Sequence, residues 1–496
     1  MSESPTSRDS ETLHDGRDHP HMRDGISLWD PSLKNERKSF LKSWGLGFLL
    51  ANVFMWAFLP IYWGSYFRQP QELHRLGVAL VNLDSRGASA AGVDPALGPV
   101  LIEAPNQLGT KNHLGFVEVD NAQFDISSVT GGQANGADVH QWARHAVINE
   151  DYFGVIIANA NATVAALDAY NTVIGGGTTQ YVAEGALSMY YAEGRNFETL
   201  DQWVAPLMNS LINNQVLGTA ATNFISLVAT RLNGVSDAQY AAANSQTLAS
   251  VISKPFAAAT WNLRPIQAFA GIPATSVGMI YILIFTYFCS MFWNNARQPF
   301  ESKILLSQLI LLRIGVVVVI YLILSLWISL VTMAFRVDFM QWYGHAGFPL
   351  FWISNFMTMW ALGMPMEIAL SFLGPRFTAF LSVPGLSLAL TVAQDSLRDA
   401  SQGELTSLRA DIADMSVFYR YGFAVPVYQA VQNGKAIIFG TKNRFGQYYG
   451  VLIAWIVVGT LGLVLTIWYQ RKKAIKQKER ENAEKKHSDE KSPRSS

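Results

Sequence analysis

With 496 residues, 37 basic against 37 acidic side chains and no net charge, the chain has no basic excess that would suit nucleic acid. Half of its residues are hydrophobic, and Cys289 is the only cysteine, which excludes an intrachain disulfide. The apolar residues gather in long uncharged runs. These predict an α-helical polytopic membrane protein with six transmembrane helices and an α/β extracytoplasmic domain between helices 1 and 2.

Residues 1–43 read as a cytoplasmic tail. The first 25 are rich in Ser, Asp, Arg and His and are expected to be disordered, with His14, His19 and His21 incidental rather than a metal cluster. Asp30-Pro31 has the form of a helix N-cap followed by Pro at the first helical position. Leu33, Phe40, Leu41 and Trp44 recur near helical spacing with Lys34, Arg37, Lys38 and Lys42 between them. That pattern fits either an interfacial amphipathic helix or a cytoplasmic extension of the first span.

Residues 44–67 are 24 residues without a charge, too long for a cleaved signal, and read as a signal anchor. About 20 apolar residues cross a bilayer core as a helix, so the runs 272–293, 314–335, 347–366 and 448–469 are further spans. A weaker sixth, 377–393, is interrupted by Pro384-Gly385. Lys34, Arg37, Lys38 and Lys42 precede the first span, Arg297, Lys303 and Arg313 follow the second, and Arg471, Lys472, Lys473, Lys476 and Lys478 follow the last. Positive flanks stay inside, so both termini read as cytoplasmic, and the even number of crossings this demands supports the weak span.

Between the first two spans, residues 68–271 hold 9 basic and 16 acidic side chains, a net −7, and are assigned to the outer side. Asn161-Ala162-Thr163 is a glycosylation sequon there, making Asn161 the candidate acceptor. Strands are expected at 76–84, 115–120, 145–149 and 152–158. Helices follow at 197–232, with Leu200, Trp203, Leu207, Leu211, Ile225 and Val228 on one face, and at 239–252. Gly175 to Gly177 lack the Lys and Ser/Thr of a P-loop and read as a turn. Ile304, Leu305, Leu306 and Leu309 suggest an interfacial helix in the link 294–313, and the basic tail 470–496 a charged helix that fixes topology.

No Walker A, H-E-x-x-H or G-x-S-x-G sequence is present, so no catalytic, cofactor-binding or metal-binding residues are assigned and no enzyme activity is expected. Inside the apolar run after Gly347, Glu367 is either a functional intramembrane carboxylate or a group at the membrane edge near Arg376. Arg313 reads as a snorkelling anchor, and Ser325, Ser329 and Asn355 as helix–helix contacts.

The segments 78–84 (VALVNLD), 261–265 (WNLRP), 277–283 (VGMIYIL) and 418–428 (FYRYGFAVPVY), taken in order, resemble the fungal nitrosoguanidine-resistance membrane proteins. That family is related to type-2 ABC exporter permeases and bacterial phage-infection proteins. The resemblance covers roughly 44–469. It implies a plasma-membrane or other cell-membrane protein linked to resistance to toxic compounds; with no Walker A sequence, the reading is a permease-like exporter or distributor of lipophilic compounds or lipids, without its own ATPase. A separate ATPase or transporter is then an expected partner. The alternative is a membrane sensor or scaffold that regulates other transporters or lipid asymmetry. Because type-2 permeases pair two six-helix halves, a homodimer through Gly450 and Ala454, or Gly459 and Gly462, is also expected.

One stretch departs from the family. Residues 394–414 carry seven charges and are either a polar loop or a retained intron. Beyond them, Tyr419, Arg420, Tyr421, Gly422 and Pro426 mark either a re-entrant segment with Arg420 at its outer mouth or an interfacial aromatic belt.

Overall fold

The computed structural model describes residues 31–35, 37–39, 41–42, 45, 49, 53, 73–109, 113–124, 138–232, 239, 243–301, 303–393 and 423–491. The expected disordered tail, almost all of the first span, the polar stretch 394–414 and Tyr419 to Gly422 lie outside these residues. The chain divides into two compact units, Met1–Ala57 and Phe58–Ser496. In the first, a 3-10 turn Pro31–Leu33 leads into helical residues on which Lys34, Lys38 and Leu41 are exposed.

The second unit begins with a five-stranded sheet: β1 Gly77–Asn82, β2 Gly115–Glu118, β3 Gly154–Ala158, β4 Leu187–Tyr191 and β5 Ala258–Asn262. Their order is β2-β1-β3-β4-β5; β1 runs parallel to both neighbours, β3 and β4 are antiparallel, and β4 and β5 are parallel. β1 is apolar from Val78 to Val81 because both its faces are covered. Its alternate residues serve two cores: Val78 and Leu80 face one, Ala79 and Val81 the other.

Helices alternate with the strands from the start, where the sequence suggested strands first and helices later. α1 Asp84–Ala90 and α2 Gly98–Glu103 connect β1 to β2, α3 Val139–Ile148 leads to β3, and α4 Ala162–Ile174 leads toward β4. The strand expected at 145–149 is the end of α3, whose Val139, Ala143, Ala146 and Val147 form one buried helical face. Asp138 caps α3 by accepting from the His140 N–H. Gly175 to Gly177 follow α4, with Gly176 at φ 77°, a turn conformation only glycine adopts freely.

A long helix, α5 at residues 197–232, carries the expected face inward: Leu200, Leu211 and Val228 are buried, Trp203 and Leu207 pack against the same core, and of the six only Ile225 is exposed. The buried row Leu200, Val204, Met208, Ile212, Val216, Ala220, Phe224 and Val228 runs beside Leu211 and completes that face. Their spacing of four exceeds the α repeat of 3.6. Two π turns, Leu200–Val204 and Ile212–Val216, absorb the surplus. α6 Ser245–Ser253 packs on the same core through Leu248 and Val251.

Beyond the one-turn helix Gly271–Thr275 come α7 Val277–Glu301, α8 Leu306–Ala334, α9 Gly347–Ala393, α10 Pro426–Phe439 and α11 Phe445–Lys491. Among the described residues, four segments are long and apolar enough to cross a membrane: Val277–Gln298, Leu306–Ala334, Met340–Gly374 and Phe445–Glu484. α9 packs against α7, α8, α10 and α11 and is the axis of the bundle. Its helical path breaks at Gly374 (φ 72°, ψ 168°), and residues 377–393, the weak sixth span, continue as helix beyond. The separate interfacial helix expected near Leu306 is absent from this position, because Leu306 and Leu309 already belong to α8.

Candidate functional site

At the end of the bundle remote from the sheet, four charged side chains converge from α7, α8 and α9. Glu367 Oε2 lies 3.1 Å from Arg313 Nη2 and 3.4 Å from Arg297 Nη1. Glu301 joins at 3.6 Å from Arg313 and 3.8 Å from Arg297. Glu367 and Arg313 are fully buried and Arg297 is 2 % exposed, while Glu301 is 29 % exposed. Two positive and two negative groups make the set formally neutral. Isolated charges could not be buried this way, because desolvation of each would cost several kcal/mol. Ser371 accepts from Arg313 Nη2 at 2.6 Å and Asn294 from Arg297 Nη2 at 2.6 Å, fixing both guanidinium planes. α11 closes the cluster: Gln470 donates to the Ser371 carbonyl at 2.5 Å and Arg471 to the Ile304 carbonyl at 3.2 Å.

Glu367 is thus held by Arg297 and Arg313 of neighbouring helices. Arg313, expected to snorkel to the surface, is instead interior. Arg297 entered the sequence reading only as a topology charge, and its pairing was invisible because the partners come from separate helices. Nearby, Tyr321 on α8 bonds Ser290 on α7 at 3.1 Å and packs against Gly363 of α9. A Cβ at Gly363 would stand 2.2 Å from the Tyr321 hydroxyl, so the close α8–α9 approach requires glycine there. Asn355 donates to Ser329 at 3.1 Å, a contact between α9 and α8.

Toward the sheet, α7 and α8 flank a groove of about 590 Å³. Val277, Tyr281 and Phe285 line one wall, and Leu324, Trp327 and Val331 the other. Tyr281, Phe285, Trp327 and Val331 are exposed, so the groove opens on the side of the bundle. It is almost wholly apolar, with Thr332 as its one hydroxyl-bearing aliphatic wall residue.

Pro426 starts α10 at a position where its missing N–H costs nothing, and Gly440 (φ 66°) ends it, the usual proline-first, glycine-last arrangement. At 14 residues α10 is about 21 Å long, too short to cross a bilayer. Trp455 donates to the Ala424 carbonyl at 2.8 Å, which sets the start of α10 about 15 Å along α11. The helix is buried among its neighbours, carrying Gln429, Asn433 and Lys435 inside. Its other end meets the sheet domain: Phe439 packs on Gly194, and Arg264 Nε donates to the Gly440 carbonyl at 2.8 Å while its guanidinium sits 4.1 Å above Trp342. Lys442 reaches the Asn149 carbonyl and lies 3.9 Å from Asp151. Arg420 and its neighbours lie outside the described residues, so only Pro426 of that motif is placed.

Asn161 lies far from both features, in the sheet domain. It takes a left-handed conformation (φ 62°) before α4, packed against Gly87. Thr163 of the sequon is buried; its N–H and its hydroxyl both donate to Asp84, each at 2.7 Å. Asp84 also accepts from the Leu97 and Gly98 amides, tying β1 to α2 and α4. Among the described residues no three His, Cys, Asp or Glu side chains group to hold a metal.

A family model described as a protein of unknown function (DUF3533) matches residues 47–393 and 406–461. Among curated proteins, the chain is 22% identical over 463 residues to an uncharacterized endoplasmic reticulum membrane protein of Saccharomyces cerevisiae, covering 91% of this chain and 84% of the yeast one. No solved structure matches it.

Proposed function

We propose that this chain, which belongs to the DUF3533 family, is a permease-like membrane protein that moves lipophilic compounds or lipids between the bilayer and a lateral site. The observation that carries this reading is the apolar groove between α7 and α8, whose volume of about 590 Å³ is that of a small-molecule site and whose open side faces where lipid would be. A ligand could enter it without crossing water. The buried Arg297–Arg313–Glu301–Glu367 cluster would hold the opposite ends of the same helices together. In this reading the protein performs no covalent chemistry, has no ATPase of its own, draws on a separate energy source, and contributes to resistance to toxic compounds. Both termini are cytoplasmic. The name of the yeast relative makes the endoplasmic reticulum, ahead of the plasma membrane, the first place to look.

A diazirine-bearing lipid photolabelled onto the protein in native membranes tests the site. Labelling should concentrate on α7 and α8 peptides around Tyr281 and Trp327, and should fall when Ala274→Trp or Leu324→Trp fills the groove. Even labelling of every apolar helix, unchanged in both variants, would refute it.

A second reading, a sensor that regulates other membrane proteins, is favoured by the grip of the sheet domain on α10 through Arg264, Phe439 and Lys442. It requires a stable heteromeric partner and no flux by the purified protein. Flux in the absence of any partner would exclude it.

A further inference from the structure

The apolar groove between α7 and α8 reaches only part of the way along the two helices. Its α7 wall runs from Val277, the first residue of that membrane segment, to Phe285. Its α8 wall runs from Phe335, just past the end of the next segment, back to Leu324. At 1.5 Å per residue these walls are about 12 Å and about 16 Å long, close to half of a roughly 30 Å hydrocarbon core. Both begin at the sheet-domain end of the bundle, so the groove lies within the leaflet on that side.

Beyond the groove the same two helices meet. Tyr321, one turn from Leu324 along α8, bonds Ser290, which lies past Phe285 along α7, at 3.1 Å. Both side chains are fully buried, and the hydroxyl end of the tyrosine packs on Gly363 of α9. The ring thus fills the space among α7, α8 and α9, about 20 Å from the rim. Among the described residues no charged side chain lines the groove walls. Thr332 Oγ1 is spent on the Ile328 carbonyl at 3.0 Å. Burying an unpaired charged or strongly polar group is costly, so such parts of a ligand stay at the rim and the part that enters is hydrocarbon.

We propose that the groove is a blind site for one hydrocarbon chain of a lipid, drawn from the leaflet on the sheet-domain side, with Tyr321 and Ser290 as the floor that limits how deep the chain reaches. The inference rests on the permease-like reading of the same groove. A lipid chain runs along the membrane normal, as spanning helices do, and so meets these walls along its length. An extended carbon chain advances roughly 1.2 Å per bond, much as an extended backbone does, and about 13 bonds fill the longer wall. Lipid tails are as apolar as the walls, so the preference comes from packing against Tyr281, Phe285 and Trp327 rather than from the hydrophobic effect. Passage to the other leaflet then requires Tyr321 and Ser290 to separate, which makes their contact the gate of the proposed movement.

The test uses the full-length protein in proteoliposomes with the sheet domain outward, selected through a tag in the turn Gly175 to Gly177. The probes are phosphatidylcholines with one chain ending in a diazirine, about 12 or about 18 carbons from the ester, so that one stops above the floor and the other would overrun it. Each is supplied to the outer or the inner leaflet and irradiated at once in the cold. From the outer leaflet the shorter probe should crosslink near Phe285 and Leu324, and the longer one should give no crosslinks past Ser290 or Tyr321. From the inner leaflet, groove labelling should be lost. Tyr321→Ala leaves a cavity where the floor was, and crosslinks of the longer probe should then extend toward Val317. Should that variant not fold, Leu324→Phe makes the same point. It raises the floor by about 5 Å, one helical turn, and should move the shorter probe's crosslinks to Tyr281 and Ile328. Crosslinks past Tyr321 in the unaltered protein, equal labelling from either leaflet, or a pattern that neither variant moves would overturn the blind site while leaving occupancy of the groove standing. Absence of groove labelling by either probe would overturn this inference and the permease-like reading together.

Discussion

Replacing Glu367 with alanine should be the most damaging single change in the helical bundle. The side chain is fully buried, and it is the nearest acidic partner of two buried guanidiniums, at 3.1 and 3.4 Å. Without it Arg297 and Arg313 face each other with only Glu301, longer at 3.6 and 3.8 Å and partly exposed. Removing one member of a buried ion pair costs about 3–5 kcal/mol, chiefly the penalty of the charge left behind. Glu301→Ala, at a partly solvated position, should cost about 1 kcal/mol or less. Glu367→Gln keeps the volume and the Arg313 hydrogen bond and should fall between. The pair Arg313→Leu with Glu367→Leu should recover much of the loss, because Arg297 then retains Glu301. Thermal unfolding followed by size-exclusion chromatography in detergent measures the series. The reasoning fails if Glu367→Ala is no worse than Glu301→Ala, or if the two leucine substitutions are simply additive.

In the sheet domain, Asp84→Ala strips acceptors from Thr163, Leu97 and Gly98 and should destabilise it by roughly 3–5 kcal/mol, read as faster proteolysis between β1 and β3. His140 has a lowered pKa in the folded state, so the unfolded chain binds the extra proton first. Stability should therefore fall as pH drops through about 6.5, and His140→Gln should flatten that part of the profile in a pH series of melting curves. The proposed homodimer should use Gly450 and Ala454, which are open, rather than Gly459 and Gly462. The latter pack on Met364 and Ile368 of the same chain. Ala454→Cys in a Cys289→Ala background should crosslink to itself in native membranes; monomer alone would exclude this face.

The membrane character of the chain was legible because runs of about 20 apolar residues have few other uses. β1 and β3 were legible for a similar reason, being short apolar runs closed by polar turns. β4 and β5 escaped because LSMYY and AATWN mix Ser, Thr and Asn with apolar residues and form no continuous apolar run. Residues 145–149 misled because a short β-branched run fits a strand or a helix equally, and the Asp138 cap that decides it sits seven residues earlier. The α5 face was legible at five of its six positions, and Ile225 fell outside it because π turns change the repeat, which no 3.6-residue pattern anticipates. At the ion cluster, Glu367 stood out as a carboxylate in an apolar run. Its partners did not, since Arg297 and Arg313 occupy positions where membrane topology alone would put a positive charge. Pro426 marks a helix start, yet its segment reads from sequence as either a re-entrant stretch or an interfacial belt, because the aromatic cluster Tyr419 to Gly422 before it dominates the pattern.

The most direct measurement is transbilayer movement of a fluorescent lipid in proteoliposomes containing the purified chain and nothing else. The permease-like account predicts movement faster than in protein-free liposomes and slowed by Ala274→Trp, which fills the α7–α8 groove while leaving the Glu367 cluster intact. A rate equal to that of protein-free liposomes, or one that Ala274→Trp does not change, would contradict it.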